Sequence, residues 1–141
     1  MQRLATASVS ASTLAWRSEM AKPRTQPSAK QLEDLMAQKS GTLLKAQSLA
    51  AMGVPGAAEP LWASAAALEE RIAALLDAHG EGREAAVHRI SAASCYRHAG
   101  DPSCATNLYR AALAGPLREG TRVEVERLLA ECLALLAGNS I

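Results

Sequence analysis

Apolar residues recur at intervals of three and four along most of the chain. Leu32, Leu35, Met36, Leu43, Ala46 and Leu49 form one such row, and Leu61, Trp62, Ala65, Leu68, Ile72, Leu75 and Leu76 a second. Val87, Ile90, Ala93 and Tyr96 follow, then Ala105, Leu108, Tyr109, Ala112 and Leu113. Val125, Leu128, Leu129, Cys132, Leu135 and Leu136 close the series. This is the period of an α-helix with one buried face. The pattern predicts five helices, over about 29–52, 57–79, 83–99, 102–114 and 122–137.

The residues between the rows supply stops and starts. Ser28 and Gln31 spell a capping box ahead of the first row, and Thr121 and Glu124 spell another ahead of the last. Gly53, Gly80, Gly100 and Gly138 fall where helices should end, because glycine accepts the left-handed conformation of a helix C-terminus. Pro55 forbids continuation, and Pro60 is expected in the first turn of the second helix. Asp101 and Pro102 read as an N-cap followed by a first-turn proline. Gly41 interrupts the first row and predicts either a break or a close helix contact. Connections this short force successive helices to pack antiparallel.

Composition sharpens the fold class to all-α. Ala supplies 31 residues and Leu 19, whereas Val and Ile together supply 8 and Phe none. Ala and Leu lead the helix scale, while strands favour β-branched and aromatic residues. The many alanines permit close helix packing. Net charge is only +1, which argues against a disordered chain and against a dominant nucleic-acid footprint. A helix-turn-helix reading of the last two helices fails because Glu124, Glu126 and Glu131 would repel phosphates. No run of apolar residues is long enough to predict a transmembrane segment.

The charge is uneven. Residues 1–30 carry five basic side chains against the single acid Glu19, and the remainder carries ten basic against thirteen acidic. With Pro23, Pro27 and many Ser and Thr, residues 1–27 read as a flexible basic arm, and residues 28–141 as one helical domain. The arm also fits, more weakly, an organellar transit peptide, or a stretch upstream of a start at Met20. The three cysteines, an odd count, lack zinc-type spacing, which predicts free thiols and a reducing, cytoplasmic compartment.

Two segments are self-similar. Gly53, Pro55, Ala58, Leu61, Trp62 and Ala65 coincide with Gly100, Pro102, Ala105, Leu108, Tyr109 and Ala112 at a constant offset of 47. The second copy, Ala93-Ser-Cys-Tyr96-Arg-His-Ala-Gly100-Asp101 with Ala105, Tyr109, Ala112 and Leu113, resembles a tetratricopeptide repeat, a helix–turn–helix unit of about 34 residues. The resemblance covers residues 86–119 well and 38–79 loosely. It departs from the family at Arg89, where a bulky apolar residue is usual, at Pro116, one residue early, and in the long second helix of the first copy. It implies an α-solenoid of about two helical hairpins with a C-terminal capping helix. The rival on the same residues is a closed bundle.

In this family the first helix of each repeat lines a concave groove. By that resemblance the groove positions are Leu43, Gln47 and Ala50, with Val87, Ile90, Ser94, Arg97 and His98. Ile90 and Ser94 stand where a carboxylate clamp would need Lys and Asn, so an apolar peptide or amphipathic helix of another protein is the expected ligand. The alternative is that Leu43 and Ile90 pack on neighbouring elements. The resemblance implies a non-catalytic interaction module, an adaptor or assembly subunit. The competing reading is a structural subunit of a stable oligomer. No nucleophile–base, phosphate-loop or dinucleotide pattern occurs, so no enzyme and no cofactor are expected. Cys95, His98 and Cys104 are too loosely spaced for zinc, and no metal is expected.

Overall fold

A computed structural model describes residues 12–139, and side chains over residues 29–138. Five helices follow one another: α1 (Ser12–Ala51), α2 (Pro55–Ala78), α3 (Gly82–His98), α4 (Pro102–Leu113) and α5 (Glu119–Asn139). No strand occurs among the described residues. The chain divides into two compact units, Met1–Asp34 and Leu35–Ile141.

Of the first unit, the described part is helical from Ser12, and Lys30 and Asp34 form an exposed ion pair one turn apart. The flexible arm expected over residues 1–27 thus overlaps α1 from Ser12 onward, while residues 1–11 lie outside the described part. The capping box at Ser28 does not start the helix. A capping box permits a start without enforcing one, and α1 runs through it although Pro23 and Pro27 lie inside the helix. The same happens at the other end. α5 begins at Glu119, so Thr121 lies within its first turn and Glu124 bonds Arg127 instead.

The second unit is built by packing consecutive helices, α2 on α3, α3 on α4 and α4 on α5. α1, α2 and α3 end in one and the same way. Val54, Glu81 and Asp101 donate their N–H to Leu49, Leu76 and Tyr96, six-to-one bonds that reverse the chain. The turn requires positive φ one residue earlier, at Gly53 (83°), Gly80 (77°) and Gly100 (81°). Pro55 and Pro102 then open α2 and α4, and the Asp101 carboxylate accepts the Cys104 N–H at 3.0 Å. Pro60 is not in the first turn of α2 but inside the helix, because Pro55 already occupies the start. Gly41 neither breaks α1 nor meets a neighbour: a Cβ there would face open space.

Two apolar clusters lie in the core of the described residues, beside further buried side chains such as Ile72 and Leu76. Ala65, Ala66, Ala92 and Cys95 make one, with Leu43 and Trp62 packed against it. Ala93, Ala105, Tyr109, Val125 and Cys132 make the other, with Ile90, Leu113, Leu117, Leu128 and Leu129 around it. Tyr96 and Leu108 pack against both and so tie α3 and α4 into one core. The residues paired by the 47-residue offset share environments in part. Ala58 and Ala105 are buried, as are Ala65 and Ala112, but Tyr109 is fully buried where Trp62 is half-exposed.

Candidate protein-interaction surface

The α2–α3 hairpin is fastened by polar contacts along its length. Arg89 pairs with Asp77 near the turn, the Tyr96 hydroxyl donates to Glu70 at 2.7 Å, and at the far end His98 stacks on Trp62 with ring centroids 4.4 Å apart. Burial, and then the Glu70 carboxylate, push the Tyr96 hydroxyl well above its ordinary pKa, so the phenol stays protonated and donating.

A charged cluster lies inside the same layer. Glu69 is only 3% exposed, yet it sits on the buried stripe of α2 between Ala65 and Ile72. Its Oε1 lies 2.6 Å from His88 Nδ1, and its Oε2 lies 3.7 Å from Lys39 Nζ. A carboxylate this deep is tolerated only when paired and hydrogen-bonded, and here α1 and α3 each supply a partner. The bond fixes the His88 ring through Nδ1, and among the described residues no hydrogen bond engages Nε2.

His88 also lines a cavity of about 380 Å³ between the start of α3 and the segment leading into α5. Arg83, Glu84 and Val87 come from α3, and Leu117, Arg118 and Thr121 from the other wall. Val87 is 49% exposed and Leu117 half-buried, so the cavity has an apolar part beside its charged groups. Among the described residues no hydrogen bond or ion pair engages the Arg83 or Arg118 side chains.

The groove positions separate into two sets. Gln47, Ala50, Val87 and His98 are exposed. Leu43, Ile90, Ser94 and Arg97 face inward partners: Leu43 and Ile90 pack on the two core clusters, the Ser94 hydroxyl lies 3.2 Å from that of Tyr109, and Arg97 pairs with Glu131 at 3.2 Å. Of the eight, Val87 alone lines the cavity.

The Glu69 cluster had a signal in the sequence, a carboxylate on an otherwise apolar helical stripe. The far wall of the cavity had none, because Leu117 and Arg118 lie in a connection whose place depends on how α4 and α5 pack. Among the described residues no group of three or more His, Cys, Asp or Glu side chains is placed to hold a metal ion. Cys95 and Cys132 are buried and Cys104 half-buried, all as free thiols. No described helix is long and apolar enough to cross a membrane. No protein-family model, curated protein or solved structure matches this chain.

Proposed function

We propose that this chain is a non-catalytic protein-interaction module, an adaptor or assembly subunit that engages a peptide or helix of a partner through the open face of α3. The observation that carries the reading is Val87, half exposed and lining the cavity together with Leu117. An apolar anchor site rimmed by charged side chains is what a partner's side chain needs for affinity and register. The tetratricopeptide-like register adds support, since Val87 is a groove position in it. Affinity capture with mass spectrometry tests the reading. Val87→Asp should lose the partners that the unaltered chain retains while its helical circular dichroism and melting temperature stay unchanged. Retention of every partner by that variant contradicts it.

A second reading, a structural subunit of a stable oligomer, is favoured by α5. Val123, Leu133 and Leu135 are 55%, 39% and 50% exposed there, more apolar surface than a finished outer face requires. A molar mass by light scattering above that of one chain, constant on dilution, would favour this reading.

A further inference from the structure

We propose that the cavity between the start of α3 and the segment entering α5 binds a phosphomonoester, with Arg83 and Arg118 as its charge-pairing groups and His88 as an oriented third partner. A cavity of about 380 Å³ takes a small organic molecule or one substituted side chain. Its two guanidinium groups have no ion-pair partner among the described residues, as holds also for Arg71 and Arg110, but of these four only Arg83 and Arg118 line the cavity. Arginine left unpaired beside a recess suits an oxyanion, which it grips with two parallel N–H donors.

His88 distinguishes this recess from a chance meeting of surface arginines. Its Nδ1 is tied to the buried Glu69, which is itself held by Lys39, so the ring is positioned and Nε2 is the nitrogen left for a ligand, accepting a P–OH proton from a phosphomonoester monoanion when the ring is neutral and donating N–H when it is an imidazolium. Thr121 adds a hydroxyl to the lining. The two guanidinium groups and the Thr121 hydroxyl offer donors from several directions, which match the three terminal oxygens of a phosphomonoester better than the two of a carboxylate, which one arginine satisfies. Val87 and Leu117 accommodate the apolar part of the ester. Glu84, on the same lining, opposes an anion and sets a sign that an experiment can read. The inference does not depend on the partner-binding reading: failure of phosphomonoester binding and failure of Val87-dependent capture are separate results.

The test is a titration of the full-length ¹⁵N-labelled chain with phenyl phosphate, with benzoate and phenol as the carboxylate and uncharged controls. Phenyl phosphate should shift the signals of residues 83–88 and 117–121 saturably, and more tightly than benzoate. Arg118→Gln should weaken binding about tenfold, the usual scale for a lost charged hydrogen bond. Glu84→Gln should tighten it severalfold, and Arg110→Gln, an exposed arginine of α4 outside the lining, should leave it unchanged. All three positions are exposed, and circular dichroism verifies that each variant is folded. A short peptide bearing phosphoserine, compared with its serine form, separates the sources. Tighter binding than phenyl phosphate places the ester on a protein chain, and weaker binding places it on a small molecule. No saturable shift, equal or tighter binding of benzoate, or equal weakening by Arg110→Gln would overturn the proposal.

Discussion

Glu69, His88 and the cysteines show how far burial governs chemistry in this chain. Glu69 keeps its place in an apolar layer through two partners from different helices, so removing one leaves a buried carboxylate under-compensated. His88→Leu should therefore destabilise the fold by about 1.5–3 kcal/mol, the range for a hydrogen bond to a charged group, read as a lower denaturant midpoint with an unchanged slope. Cys95 shows the opposite side of burial. Desolvation, aided by the nearby Glu69 charge, raises its thiol to about 11. A folded-state pKa raised in this way keeps the thiol protonated throughout the neutral range, and only the thiolate attacks electrophiles. Iodoacetamide at neutral pH should therefore modify Cys95 far more slowly than it does in the urea-unfolded chain. Equal rates in the two states would contradict the burial described.

The elements were largely legible in the sequence, and their failures have a common cause. The bounds of α2, α3 and α4 follow the glycine stops and proline starts closely, because positive φ and a missing N–H are strict local constraints. Neither capping box marks a helix start: α1 runs through Ser28, and α5 begins two residues before Thr121, because a capping box permits a start without enforcing one. The core rows were legible as rows, but not which groove positions would be covered. Leu43 and Ile90 are turned to the core by the packing of neighbouring helices, a tertiary fact that no single row contains. Two glycines test the local account with opposite signs. Gly100→Ala puts a side chain at φ 81° and should cost about 1–2 kcal/mol. Gly41→Ala meets nothing within 4 Å on an unbroken helix and should gain up to about 1 kcal/mol. Thermal melts of both variants check the pair, and a shift in the same direction would contradict it.

At the scale of the whole molecule, the described helices of the second unit pack in succession on two clusters joined by Tyr96 and Leu108. The Glu69 cluster fixes α3 from behind, the Tyr109 cluster fixes α4 and α5, and the cavity holding Val87 lies where α3 and the start of α5 meet. The functional reading makes this recess, rather than the apolar face of α5, the place where a partner is held. Hydrogen–deuterium exchange of the chain, alone and in complex with a captured partner, tests that claim most directly. The account predicts new protection in peptides covering residues 83–90 and 117–121, and little change over residues 133–138. Protection confined to residues 133–138, with residues 83–90 unaltered, would contradict it.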